Sequence, residues 1–176
     1  IGMGIDNLAP DLRGMYFQPE SPDGDAHGRI LRVEYANFSI MEWRYDEETS
    51  AYDLWMEREG ASGLEMALMA DRNNGNKVSF DNVVVMFAEY IEYAPSLHDI
   101  VLQGVQGYKP ALLFRDGMIN YAKWRTPDSR RPVIFETSEG ESLPLKPGRT
   151  WIVIVGEASR TVQPAGGEWT IYFDLP

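Results

Sequence analysis

The chain has 176 residues, of which 44% are hydrophobic, 12% aromatic and 24% charged, a composition of globular domains and far from the disordered regime. Twenty-seven acidic residues against 16 basic ones give a net charge of −11. That field opposes nucleic acid and anionic membrane surfaces, whose binding rests on Lys and Arg. The absence of cysteine removes thiol catalysis, cysteine-ligated zinc and disulfides in one step.

No apolar run approaches the roughly 18 residues that cross a bilayer. No basic-plus-apolar leader opens the chain, so Ile1 reads as the start of a mature protein or of an excised piece. Residues 1–27 contain "NLAPDLRG" and "QPESPDGDAHG", and this density of Pro, Asp and Gly predicts a turn-rich arm or the tail of an absent upstream domain. A single β-rich domain is expected over 28–176.

From Arg29 the texture changes. "ILRVEY" alternates, with Leu31, Val33 and Tyr35 on one face, which predicts a half-buried strand. Met41, Trp43 and Tyr45 share a face in the next run, and Tyr52, Leu54 and Met56 in the one after. The polar "DEETS" (46–50) between them predicts a hairpin loop. Residues 61–70, "ASGLEMALMA", are the best helix candidate, with Ser62 placed to cap and Glu65 three positions on. Asn74-Gly75 marks a turn. "VVVMFAEYIEY" (83–93) predicts one continuous central strand covered on both faces, and "HDIVLQG" the next.

Residues 112–135 form a hairpin signal, two apolar runs meeting at Asp116-Gly117. A two-residue type I′ turn there opposes Arg115 to Met118, Phe114 to Ile119 and Leu112 to Tyr121. One face is then Leu112, Phe114, Ile119 and Tyr121; the other holds Leu113, Ala122 and Trp124. Turns at Glu139-Gly140 and Lys146-Pro147-Gly148 separate the strands after it, "TWIVIV" follows, and "EWTIYFDL" (168–175) closes the sheet as an edge strand. Turn signals recurring about every ten residues predict a mainly β, antiparallel sheet or sandwich, with one or two short helices at most.

Chemistry is harder to find. His27 and His98 have no partner in a G-x-S-x-G elbow and read as surface or capping residues. "DRNNGNKVSFD" offers Asp71, Asn73 and Asn74, but a calcium loop needs a ligand at position five and Gly at six. Gly75 is fifth and Asn76 sixth, so a turn is the reading, as for Asp23 and Asp25 in "SPDGDAHG". Glu47-Glu48 and Glu139/Glu141 read as solvated turns. No metal or other cofactor is expected. Five Trp and nine Tyr are many for this length. All five Trp fall on predicted strands, where they pack a core or, on an exposed face, stack on sugars or a peptide. The candidate ligand-binding residues are Trp43, Trp55 and Trp124 with Arg125 and Arg131, the arginines belonging to a basic loop with Lys123 and Arg130.

The order "NVVVMF" (82–87), "G-x-x-x-x-x-x-F-R-D-G" (107–117), Trp124, a Pro-preceded strand and "EGESLPLKPGRTWIVIV" (139–155) resembles the C-terminal domain of the YerB-like family of proteins classed as bacterial lipoproteins, a family of unknown function. "WRYDEETSAYDLWMEREG" (43–60) resembles that family's "YD…Y-x-R-x-x-x-G" hairpin, and "DRNNG" (71–75) its acid-to-Gly turn. The likeness covers roughly residues 28–156. It departs at Tyr52, which is followed by Asp53-Leu54 where the family pattern has an arginine, and in lacking the family's N-terminal domain with its lipid-attachment cysteine. The resemblance implies part of an exported, lipid-anchored protein and brings no catalytic residues. The expected role is a non-catalytic extracytoplasmic module that binds an envelope glycan or protein, or packs on its own N-terminal domain. The alternative is a carboxylate-dependent envelope hydrolase with acids here or shared with that domain.

Overall fold

The computed structural model describes residues 14–36, 39–60, 63–94, 97–127 and 131–175, and among these it forms strands and turns without a helix. The described chain opens with β1 (Tyr16–Phe17), β2 (Ala26–His27), β3 (Ile30–Ala36), β4 (Ser39–Asp46), β5 (Ala51–Gly60) and β6 (Gly63–Leu68). Next come β7 (Ser79–Phe80), β8 (Asn82–Ala88), β9 (Tyr90–Ala94), β10 (Leu97–Ile100), β11 (Val105–Arg115) and β12 (Met118–Thr126). It closes with β13 (Ile134–Glu136), β14 (Pro144–Leu145), β15 (Thr150–Gly156), β16 (Arg160–Ala165) and β17 (Glu168–Tyr172).

Two sheets carry the fold. The first runs β13-β12-β11-β8-β15, with β2 added to β12; the second runs β16-β17-β3-β4-β5-β6, with β7 added to β5. Most pairings are antiparallel, while β15 joins β8, and β17 joins β3, in parallel. The period-two residues of the second sheet, Leu31, Val33, Trp43, Tyr52 and Leu54, meet Val83, Val85, Phe114, Ile119 and Val153 of the first in one buried cluster. This is the expected β sandwich. β8 is buried along its whole length, because its other face joins Leu113, Ala122, Trp124, Phe135 and Leu145 in a second cluster. A hairpin apolar on both faces is therefore covered on both faces.

The hairpin register is the one its sequence specifies: Arg115 opposes Met118, Phe114 opposes Ile119 and Leu112 opposes Tyr121. Asp116 and Gly117 take φ of 51° and 74°, as a type I′ turn demands.

Three local readings are corrected. Residues 63–68 form β6, which lengthens the β4–β5 hairpin and pairs with β5 as far as Gly60↔Gly63. Gly63 has a φ of 115° that a helix does not use, and Glu65 accepts from Arg58 across the strands at 3.1 and 3.0 Å. Ser62 lies outside the described residues. The run 83–93 is two strands, since β8 ends at Ala88 and β9 pairs, among the described residues, with β10 alone. β17 is an inner strand, because β16, whose polar "RTVQPA" gave no strand pattern, covers its outer side.

Of the turn-rich arm, residues 14–27 are held by strand pairing: β1 joins β14 in a separate two-stranded sheet, and β2 joins β12 of the first sheet. Asn120 Nδ2 donates to the Asp23 carbonyl at 2.7 Å, and the Tyr121 amide to Asp25 Oδ2 at 2.6 Å.

Trp124 sits wholly within the second cluster and donates its indole N–H to the Phe87 carbonyl at 3.0 Å. Trp124→Ala is expected to lower stability by about 3–5 kcal/mol, read as a reduced urea midpoint at unchanged slope.

Candidate functional site

The residues singled out from sequence separate in space. Trp43 and Trp124 are completely buried, so neither offers a ring to a ligand; strand alternation faces both into packed layers, which corrects their reading as ligand platforms. Trp55 lies on the outer face of the second sheet, beneath the Arg44 guanidinium at 4.0 Å. That face is a lattice of paired charges: the Glu42 carboxylate accepts from Arg32 at 3.3 Å and from Arg44. Arg131 is exposed, and Arg130 lies outside the described residues.

Arg125 is the one that enters a cluster. Along β12, Ile119, Tyr121, Lys123 and Arg125 share a face by alternation. Ile119 is fully buried in the inter-sheet core, while Tyr121 stands at its margin, 49% exposed, with its ring edge-on to Trp169 at 6.2 Å. Lys123 and Arg125 lie beyond that margin and flank the ring of Tyr108 on β11, at 5.4 and 5.2 Å from its centroid. Arg125 Nη2 donates to Glu136 Oε1 on β13 at 3.1 Å. The first sheet thus extends past the second as a shelf of two tyrosines and two cations. Burial pushes the Glu136 carboxyl up, but hydrogen bonds from Tyr108 and Arg125 outweigh it and hold the group below the usual carboxylate range. The same bond to Glu136 raises the Tyr108 phenol.

Beside the shelf lies a polar pocket of about 120 Å³, lined among others by Asp25, Tyr121, Thr137, Ser138 and Glu139. Lys123 Nζ reaches over to the Ser138 carbonyl at 2.7 Å.

The β9–β10 hairpin leaves the sandwich where β8 ends, its base tied by the Val101 amide to the Glu89 carbonyl. Tyr93 is 61% and Leu97 57% exposed, with Ile91 and Ile100 beside them. An open groove of about 430 Å³ runs between Ile91, Asp99, Ile100, Val101, Leu102 and Gln103. Sequence reasoning missed this surface because 83–93 was taken as one strand. Glu89 inside the apolar run, and Pro95 after Ala94, are the signals that mark it. Tyr108 and Glu136 were missed because cross-strand neighbours on three strands are not neighbours in sequence.

The other motifs resolve locally. Asp71 Oδ1 accepts from the Asn73 amide at 2.7 Å and Asn74 Oδ1 from the Asn76 amide at 2.8 Å; these are side chains capping their own turns. Among the described residues no three His, Asp or Glu side chains gather as metal ligands. Glu42 and Glu136, the carboxylates most removed from water, are each engaged by arginine.

These features define an all-β sandwich of mostly antiparallel strands. The chain belongs to the family described as "Protein of unknown function (DUF3048) C-terminal domain", whose model matches residues 31–152. It is 28% identical over 153 residues to the Bacillus subtilis (strain 168) protein named "Putative lipoprotein YerB", covering 84% of this chain and 42% of that protein. The crystal structure of YerB from Bacillus subtilis is similar in fold, with a TM-score of 0.61 and 23% identity over 80% of this chain and 43% of that one. The chain spans less than half the length of the relative it matches.

Arg125→Met leaves Glu136 in a low-dielectric site without its cation. Side-chain exposures of 27% and 11% for the pair place the expected loss at about 1–2 kcal/mol at neutral pH, short of a fully buried pair. In the parent, Glu136 lies below its unfolded value and adds stability that is lost as pH falls through its folded pKa. In the variant the Arg125 contribution is lost while the Tyr108 hydrogen bond and the Lys123 charge remain, so burial is opposed less and the carboxyl rises from its parent position. The deficit should therefore narrow as pH falls through the carboxylate range near 4, and Glu136→Gln in the same background should recover most of it, both read by urea titration at pH 7 and pH 4.

Proposed function

We propose that this chain is a non-catalytic, extracytoplasmic docking module of a lipid-anchored bacterial envelope protein, and that the β9–β10 hairpin packs on the N-terminal domain of that protein. The carrying observation is the exposure of Ile91, Tyr93, Leu97 and Ile100 on one two-stranded projection beside an open groove. Soluble domains rarely leave large apolar side chains grouped in water, and such groups mark interaction surfaces. Two findings support that occupant: the family is described as a C-terminal domain, and more than half of the relative's length lies outside the match. The lipoprotein name belongs to that relative, and its transfer to this chain is part of the proposal. The acids near the groove, Glu92 and Asp99, favour an opposing surface with an apolar centre and basic margins.

The hydrolase reading fares less well. It needs one carboxyl held protonated beside another held ionised, and Glu136, held ionised by an arginine, fits only the second of these roles.

The test is a thermal-shift titration of this chain with its separately produced N-terminal domain. At about 100 times the dissociation constant the complex should gain about 2.7 kcal/mol, a rise of a few degrees. Tyr93→Ser/Leu97→Ser should abolish the rise without lowering the melting point of the isolated chain. A rise of equal size in that variant would place the contact elsewhere.

A further inference from the structure

A second surface, independent of the hairpin, carries its own chemistry. Tyr108 and Tyr121 lie on one face of the first sheet, both about half exposed. Tyr121 opposes Leu112, four residues along β11 from Tyr108, which lies in the register shift between Val105 and Lys109. The two backbone positions are about 13 Å apart along the strand, the scale of a short oligosaccharide. Lys123 and Arg125 stand between and beside them.

The four groups divide the work. Arg125 is committed to Glu136. Lys123 uses one donor on the Ser138 carbonyl, and a charged ammonium has three. The pocket next to Tyr121 is lined by Asp25, Thr137, Ser138 and Glu139 among others. Asp25 Oδ2 accepts from the Tyr121 amide and Glu139 Oε1 from Ser138 Oγ, and a carboxylate has further lone pairs to offer. Acceptors of this kind receive hydroxyl protons, and tyrosine rings take the C–H face of a sugar. Lys123, whose charge already acts on Glu136 and Glu139, has donors left for an acid substituent. A neutral polyol would leave Lys123 unused, and a plain anion would meet the carboxylates of the pocket.

We infer that the shelf formed by Tyr108, Tyr121 and Lys123, with the pocket beside it, is a binding site for an acidic oligosaccharide. One ring stacks on Tyr121 with its hydroxyls in the pocket, a carboxylate or phosphate substituent meets Lys123, and a further ring passes the edge of Tyr108, whose ring Lys123 and Arg125 already flank. A site of this openness gives weak single-chain affinity, and its usefulness lies in repeated engagement along a polymer.

The experiment is an amide-resonance titration of the whole chain with trigalacturonic acid, with cellotriose as the neutral counterpart, triglutamate as the acidic peptide and acetate as the acid group alone. Trigalacturonic acid should shift amides of residues 120–125 and 137–139, and bind about tenfold more tightly than cellotriose. Lys123→Gln should bring the two sugars to the same affinity, and Tyr121→Ala should lose both, while thermal melting shows each variant folded. A glycan bearing glycerol 1-phosphate in place of the uronate should bind with the same dependence on Lys123, and binding of it that Lys123→Gln leaves unchanged overturns the inference. The inference is overturned if no shelf amide moves, if cellotriose binds equally, if acetate or triglutamate reproduces the shifts at the same concentration, or if Lys123→Gln changes nothing. Tyr93→Ser/Leu97→Ser should leave the sugar titration intact, so loss of the docking reading would not touch this one.

Discussion

A guanidinium removed from water organises one end of this sandwich. Arg115 is fully buried, a placement that is costly unless every donor direction is met. Its Nε donates to Asp116 Oδ2 at 2.9 Å, Nη1 to the Pro144 carbonyl at 3.1 Å and Nη2 to the Pro19 carbonyl at 2.6 Å. Asp116 serves twice, as the left-handed turn residue and as the counter-ion. Its carboxylate also accepts from Lys146, whose ammonium reaches the Ser50 carbonyl. Burial pushes the Asp116 carboxyl up, but Lys146 and Arg115 together hold it below the usual carboxylate range. The turn could not be lengthened or reshaped without unpairing the arginine.

From that centre the constraint spreads through backbone groups. Asn82 uses Nδ2 on the Lys146 carbonyl and on Thr150 Oγ1, and accepts the Lys146 amide on Oδ1. This fixes the start of β8 against the turn that leads into β15, which lies beside it in parallel. Gly117 packs so closely on the Tyr45 ring that a Cβ there would lie 2.9 Å from it, which seats the hairpin tip against the second sheet. The Tyr52 hydroxyl donates to the Gly28 carbonyl at 2.7 Å. Residues 14–27 have no apolar period to bury. They are held because buried side chains, Arg115 and Asn120, need their carbonyls.

What was legible in the sequence follows the range of the forces involved. The β11–β12 register could be read residue by residue, because a two-residue turn and period-two alternation fix it locally. β3, β4 and β5 were legible for the same reason. The parallel pairings of β15 with β8 and β17 with β3 depend on contacts between residues far apart in the chain, and nothing in a single strand announces its partner. β6 was misread because a short apolar run with Glu at the right offset satisfies a helix cap as well as a strand. Of the candidate site, Arg125 was marked by its basic neighbours. Tyr108 and Glu136 come from two other strands, and only the sheet brings the three together.

Strand direction then separates anchoring from exposure. β11 ends and β12 begins at the Arg115 turn, while β8 and β15 start beside it. The same four strands therefore have their other ends, Val105, Thr126, Ala88 and Gly156, on the far side of the first sheet. There the enclosed charge is a single carboxylate, Glu136, held by Arg125, and the chain departs: β8 gives way to the exposed β9–β10 hairpin, and β12 runs out past Tyr121 into Lys123 and Arg125. The groups placed in water lie where the polar girdle no longer acts. Rigidity at one end permits that, since side chains presented from ordered strands lose little further freedom on binding. The hairpin and the shelf lie on different elements at this end, one apolar and one cationic and aromatic, so a partner domain and a soluble polymer could occupy them without competing for the same side chains.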